Sequence, residues 1–307
     1  MKINQNNILV LKNKNFVAKV NATLGGNLIF LRSNSGAIIL REPDYEKGID
    51  NPYLYGMPIL FPVNRIENGK FNFDGREYLF DINEPNTNCH LHGELHNKEF
   101  SVLYETEKRV VLSIKSTLGK VNDFELVLDY CLVRNGIKLK TTVYNLSKLK
   151  MPVMLGFHTT FNSNFLIGGK NFIKVSFNRE IERNMANYLP NGNYPEFDSV
   201  SNELLSGKFN PLSQPISRHY SLKNCGKIVN FDENSNVSVV YKNSKNLNYR
   251  LIYNGDASGY ICLEPQTSMA NAPNVSLDKN VSGFDYIKPL SKKVYKSKIL
   301  LLKGDKR

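Results

Sequence analysis

FELVLDYCLV (residues 124–133) and, two residues later, GIKLKTTVYN (residues 136–145) decide the fold. In the second stretch Ile137, Leu139, Thr141 and Val143 recur at every other position. A period of two lines one face of an extended strand, whereas a helix repeats its apolar face at 3.6 residues. The same spacing returns with Phe16, Ala18 and Val20, and again where Phe172, Lys174 and Ser176 alternate against Ile173, Val175 and Phe177. RVVLSIK (109–115), VSVVYK (237–242), YRLIYN (249–254) and YICLE (260–264) are short and rich in β-branched or aromatic residues. Each is bounded by Gly, Asn, Asp or Lys. The 16 Tyr and 17 Phe suit strands. No segment sustains an i, i+3, i+4, i+7 apolar stripe for three turns, so helix is a minor component. Many short strands without intervening helices predict an all-β sandwich or barrel.

Two long polar connections, at about 42–98 and 178–235, are rich in Asn, Pro and Gly. Connections of that length in a compact fold usually carry function. No internal repeat, low-complexity tract or linker divides the chain, and all-β folds often exceed 250 residues as one unit. The expectation is one domain over residues 1–307. At that length about 75% of the unfolded surface can be buried, so a core needs no staples.

Cys89, Cys131, Cys225 and Cys262 show no CxxC pairing and no short regular spacing, which favours reduced thiols over a disulfide framework. The apolar run before Lys12 is too short for a signal-peptide core. No 18-residue apolar stretch occurs. A cytoplasmic protein without membrane partners is therefore expected. The net charge is +12, but the lysines are interleaved with Asn, Glu and Asp and become dense only in SKKVYKSKILLLKGDKR (291–307). That pattern describes a solvated basic surface rather than a nucleic-acid site, which calls for basic residues interleaved with exposed aromatics along a groove.

The chain has five histidines, three of them in CHLHGELH (89–96). An HxH pair on a strand puts two imidazoles on one face and can bind a metal. No further ligands are evident nearby, so His90 and His96 read as ordinary loop or surface residues, and His92, beside Gly93, as a residue turned into a polar cleft. His158, in MPVMLGFHTTFN, follows an apolar run, where a satisfied core histidine is the common outcome. Glu264, in YICLEPQTSMANAPN, ends an apolar strand immediately before Pro265. A half-buried carboxylate without a partner is costly, so it either pairs with a basic group or is held there as an acid or base. Arg65 follows Asn64 in YGMPILFPVNRIENGKFNFDGREY, where two prolines stiffen a turn that projects one guanidinium. Its fork suits adjacent hydroxyls or a carboxylate, Glu264 among the candidates.

Taken in order, these segments resemble the aldose 1-epimerase (galactose mutarotase-like) family. NPYLYGMPILFPVNRIENGKFNFDGREYLFDINEPNTNCHLHG is similar to its N-terminal signature, through Gly-x-Pro-x-Leu-Phe-Pro, Asn-Arg-Ile, a Gly-x-Phe turn and His-Gly. LGFHTTFN resembles the segment that supplies the family's acid, ANYLPNGNYPEF a Leu-Pro-Thr-Gly loop, and ICLEPQTSMANAPN the Glu-Pro segment that supplies the base. The resemblance covers roughly residues 20–300. It implies a large antiparallel β-sandwich with a cleft on one sheet, Glu264 as base and His158 as acid. Arg65, Asn64 and His92 become sugar ligands. No metal or organic cofactor is implied, and the partner is a small-molecule sugar held by a monomer or homodimer.

Anomer exchange needs a proton taken from the C1 hydroxyl and one delivered to the ring oxygen. A carboxylate and an imidazole have pKa values that bracket the useful range. Tyr53, Phe61 or Phe161 would stack on the sugar. The chain departs from the family in PISRHY (215–220), where a Leu-Asp-Asp-like run often supplies an Asp to the sugar. Ser217, Arg218 and His219 stand there instead, and Arg218 or His219 is the expected substitute. A more basic pocket raises an acidic or phosphorylated sugar as the substrate, as in hexose-6-phosphate 1-epimerases. A non-catalytic carbohydrate-binding protein on the same fold is the remaining alternative, because fold does not fix function.

Overall fold

The computed structural model describes residues 7–44, 46, 50–222 and 227–304. Cys225 lies outside them; the other three cysteines are free thiols. The stretch Asn122–Val133 runs antiparallel to Gly136–Asn145 in continuous register, from Phe124 opposite Asn145 to Val133 opposite Gly136. Every second residue of Asn122–Val133 is buried, as a period of two requires. This hairpin is the middle of an eight-stranded antiparallel sheet. In spatial order its strands are Asn171–Val175, Lys227–Asp232, Val237–Asn243, Lys292–Lys303, Gly136–Asn145, Asn122–Val133, Arg109–Leu118 and Ser101–Thr106.

A second, seven-stranded sheet packs against it. Its order is Arg179–Glu180, Ser217–Ser221, Tyr249–Tyr253, Tyr260–Gln266, Gly156–Phe157 and Ile59–Leu60, with Thr160–Asn162 also paired to Tyr260–Gln266. The inner faces interdigitate: the Phe161 ring lies 5.5 Å from that of Tyr241, and the Thr159 and Tyr241 hydroxyls are 2.9 Å apart. One hydrophobic cluster holds Leu139, Val143 and Ile299 of the first sheet with Phe157, Ile252, Ile261 and Leu263 of the second. The architecture is an antiparallel β-sandwich. Among the described residues helix is confined to Ser199–Ser206 and Lys279–Ser282 and a few single turns. No described helix is long and apolar enough to cross a membrane.

The 178–235 segment is less a connection than expected, since it contributes Ser217–Ser221 and Lys227–Asp232 as integral strands. The 42–98 segment is built of small strand pairs, Arg65–Glu67 with Cys89–Leu91 and Lys70–Phe73 with Arg76–Leu79. Pairing in the second sheet sets one row of side chains. His219 stands opposite Leu251, and Leu251 opposite Glu264. Gly156 faces Gln266 and Thr160 faces Cys262, which leaves His158 across from Glu264. Directly opposite residues share a face. His219, Leu251, Glu264 and His158 therefore point away from the core together.

Candidate active site

Glu264 is fully buried, and His158 nearly so. Nε2 of His158 lies 3.1 Å from Oε1 of Glu264. The other carboxylate oxygen, Oε2, accepts a 3.2 Å hydrogen bond from Gln266 Nε2, and Gln266 Oε1 accepts one of 3.2 Å from Asn64 Nδ2. Burial pushes the Glu264 carboxyl up to about 8, although the Gln266 amide and the charges of Arg183 and Arg65 pull it down. Burial also lowers His158, to about 4. Both shifts favour the neutral forms, a carboxylic acid beside an unprotonated imidazole, so the one proton of the pair rests on Glu264.

His92 is placed by backbone geometry. It adopts a left-handed conformation (φ 64°) and donates its N–H to the Asn64 carbonyl at 2.9 Å. Gly93 follows, also left-handed, and a Cβ there would fall 2.0 Å from the Phe61 carbonyl oxygen. Only glycine permits that approach. The His92 ring packs edge-on against His158 at 5.5 Å and against Tyr53 at 4.8 Å. Burial, with His158 beside it, holds His92 well below the usual histidine range. Tyr53 also packs on His96 and, at 5.9 Å, on His158.

Arg65 pairs bidentately with Glu84, not with Glu264, through two bonds of 2.6 Å. Its guanidinium lies 4.7 Å from the centroid of the Tyr188 ring, and that of Arg183 lies 5.8 Å away. Tyr188 belongs to a short loop closed by pairing of Arg183 with Pro190. The structure thus gathers Glu264, His158, His92, Asn64, Arg65 and His219 around one face. Asn64 stands behind Glu264; its side-chain Nδ2 donates to Gln266 and its side-chain Oδ1 accepts from the Arg65 backbone N–H.

Arg218 is not part of this face. Alternation turns it to the opposite side of the strand from His219, where Nη1 donates to Glu180 at 2.7 Å and Nη2 to Asp198 at 2.5 Å. Its expected role as a sugar ligand is corrected to that of a tie between the sheet and the helix Ser199–Ser206, which Asp198 caps. Phe61 and Phe161 are corrected likewise, being core residues packed on Phe124 and Tyr241; of the three expected stacking residues only Tyr53 borders the pair. His90 and His96 are buried rather than at the surface, and His90 Nδ1 donates to the Asp81 carbonyl at 2.7 Å. No group of three or more His, Cys, Asp or Glu among the described residues is placed to hold a metal.

Three neighbours escaped the sequence reading. Gln266 stands two residues after Glu264, so the period-two rule could have put it on the same face. Arg183 stands two residues after Ile181, whose N–H bonds the His219 carbonyl at 2.7 Å, and the same rule would have aligned it with Ser217. Tyr188 carried no signal beyond its place in the Leu-Pro loop.

Comparison with known proteins agrees with this architecture. A galactose mutarotase-like protein from Clostridium acetobutylicum has the same fold, with a TM-score of 0.89 at 31% identity over 96% of this chain and 94% of that one. A galactose mutarotase-like protein from Lactobacillus casei gives 0.74 at 17% identity, over 96% and 100%. The galactose 1-epimerase of Lactobacillus acidophilus gives 0.71 at 16%, over 99% and 98%. The sandwich is therefore of the galactose mutarotase-like class. The aldose 1-epimerase family model matches residues 7–295, and the chain belongs to that family.

Proposed function

We propose that this protein interconverts the α and β anomers of an aldose, with Glu264 as base and His158 as acid. The observation that carries the proposal is a fully buried carboxylate held 3.1 Å from an imidazole on the outer face of the second sheet. Nothing in the core requires a charge at that point, and an apolar residue would cost less there.

The chemistry needs one proton on the pair. In the reactive form Glu264 is ionised and His158 protonated. Glu264 takes the C1 hydroxyl proton as the C1–ring-oxygen bond breaks, and His158 delivers its proton to the departing ring oxygen. The product is an open-chain aldehyde facing a neutral carboxylic acid and a neutral imidazole. Rotation about C1–C2 presents the other carbonyl face. His158 then takes back the hydroxyl proton as the ring closes, and Glu264 returns its own to O1. Proton count is conserved, so the pair resets itself. The buried environment favours the neutral partners of the open-chain stage, while Arg183 and Arg65 favour the ionised carboxylate of the closed-ring stage. The ionised pair is thus the less populated form, and the cycle passes through it reversibly.

The Asn64–Gln266 relay would aim the carboxylate, and Arg65, His92 and Tyr53 would contact the sugar from the rim. Exchange NMR on a panel of aldoses and aldose phosphates tests the proposal. The expected result is anomer exchange well above the buffer-catalysed rate for at least one sugar. Binding without accelerated exchange for any member would favour a carbohydrate-binding protein instead.

A further inference from the structure

Asn64, Gln266 and Glu264 are joined by hydrogen bonds that can run in only one direction. All three residues are fully buried. The series begins at the Arg65 backbone N–H, which donates to Asn64 Oδ1 at 3.0 Å. A backbone N–H can only donate, so the Asn64 amide turns its oxygen to it and its nitrogen the other way. Asn64 Nδ2 then donates to Gln266 Oε1 at 3.2 Å, which leaves Gln266 Nε2 to donate to Glu264 Oε2 at 3.2 Å. Reversing either amide would set donor against donor or acceptor against acceptor away from water, a costly mismatch for buried groups. A main-chain group that cannot turn over therefore fixes the orientation of both amides.

Asn64 is itself held in place. Its backbone is left-handed (φ 60°), a conformation that asparagine tolerates better than most residues. Its carbonyl oxygen accepts the His92 N–H at 2.9 Å. Fully buried and engaged at both ends of its amide, Asn64 presents no surface to a sugar.

The one-way series makes the two oxygens of Glu264 inequivalent. Oε2 faces a donor, and a carboxylic acid cannot aim its proton at an N–H. The proton of the neutral form is thereby directed to Oε1, the atom 3.1 Å from His158 Nε2. Oε1 accepts no hydrogen bond from the described residues, so it is the oxygen left for an incoming hydroxyl. The donor on Oε2 also favours the ionised form, against the burial that pushes the carboxyl up to about 8.

We propose that Asn64 and Gln266 are positioning residues: the donor series running from the Arg65 N–H to Oε2 selects Oε1 as the oxygen that takes and returns the sugar's O1 proton, and keeps the ionised base within reach. The inference rests on Glu264 as the base of anomer exchange. Asn64 acts through Gln266 and touches no substrate.

The groups that face Glu264 leave its titration in clear view. His158 and His219 gain charge only at about 4 and about 3, and His92 lies well below the usual histidine range. Burial pushes the Cys262 thiol and the Tyr53 phenol up, Arg183 keeps its charge to about 10, and Arg65 is paired with Glu84. Of these groups, only the Glu264 carboxyl changes charge at about 8.

Carbon-13 NMR of that carboxyl, assigned by its loss in Glu264→Gln, reads the titration with no substrate present. In the wild type the Gln266 side-chain N–H signals should shift with the same midpoint, because ionisation strengthens the bond they make. Gln266→Met, similar in shape but without a donor, should raise the carboxyl midpoint by about one pH unit, the scale of one hydrogen bond to a charged group. Asn64→Ala should raise it in the same direction and add nothing in the Gln266→Met background, since both act through one bond. In anomer exchange the alkaline limb of kcat/KM should move with the midpoint, and kcat should fall roughly 10–100-fold with KM little changed. If Gln266→Met does not fold, the wild-type N–H titration and Asn64→Ala decide. A Gln266 N–H signal indifferent to the carboxyl titration, or a midpoint unaltered in the variants with the loss falling on KM, would overturn the positioning role and return Asn64 to the sugar. Midpoints that behave as expected in a protein that exchanges no anomers would overturn the reaction, and with it the role of Oε1.

Discussion

Glu264 is the residue whose environment is hardest to explain by packing. Its carboxyl sits at about 8 against an ordinary value of 4.5. Between those pH values the folded chain keeps a proton that the unfolded chain has lost, so stability contributed by this site falls as pH rises through that window. Glu264→Gln cannot ionise. It should melt higher than wild type by a few degrees at pH 8, with the difference vanishing near pH 4; a structural ion-pairing carboxylate would show the opposite sign. Activity has its own window. Above about 8 the pair loses its one proton, and below about 4, where His158 charges as well, it gains a second. A kcat/KM profile that is flat between these limits and falls outside them is expected, and a profile rising steadily beyond pH 9 would contradict the need for one proton on the pair. Glu264 was legible in the sequence because a carboxylate at the end of YICLE breaks the apolar pattern. Arg218 and Arg183 were not distinguishable. In a strand, neighbours point to opposite faces, and which face becomes the site depends on how the sheets stack.

Elements place these side chains through contacts that sequence shows only in outline. His92 is aimed by the left-handed His92–Gly93 pair lying against Phe61. Gly93→Ala forces a Cβ to 2.0 Å from a carbonyl oxygen in a conformation unfavourable to alanine. It should lower both thermal stability and kcat/KM, and an alanine variant with wild-type values of both would refute this account of the turn. Arg218 does the opposite kind of work, holding the half of the second sheet near Glu180 to the helix cap at Asp198. Arg218→Ala strips the buried Glu180 of its main partner, so a destabilisation of about 1–3 kcal/mol is expected, discounted for the exposure of the arginine. Turnover per folded molecule should stay near that of the wild type, because the Arg218 side chain lies on the opposite side of the strand from His219. A large selective loss of activity would return Arg218 to the sugar site. Short strands such as Gly156–Phe157 and Arg179–Glu180 were invisible in advance, because two residues carry no measurable period.

The sandwich itself was legible from alternation alone, since a period of two repeated over many segments leaves few architectures. Pairing order was not, because it depends on contacts between segments far apart in sequence. That order has an electrostatic consequence for the whole molecule. Lys227 stands opposite Lys242, Lys242 opposite Lys298, and Lys298 opposite Lys138, four lysines in one row across the first sheet. Like charges directly opposite destabilise a sheet, and about 0.1 M salt shortens the screening length to roughly 10 Å. The melting temperature should therefore rise between low salt and about 0.3 M; a fall would mean that attractive pairs dominate the surface. Duplex DNA should bind this face weakly and be released steeply by salt.

Anomer exchange measured by NMR on wild type, Glu264→Gln, His158→Asn and the double variant, each confirmed folded and sugar-binding, tests the acid–base pair most directly. Each single substitution should reduce kcat by about 10²–10⁴-fold, and the double variant should be little slower than either, because the two groups act on one proton cycle. A folded Glu264→Gln protein that exchanges anomers at the wild-type rate would contradict the account.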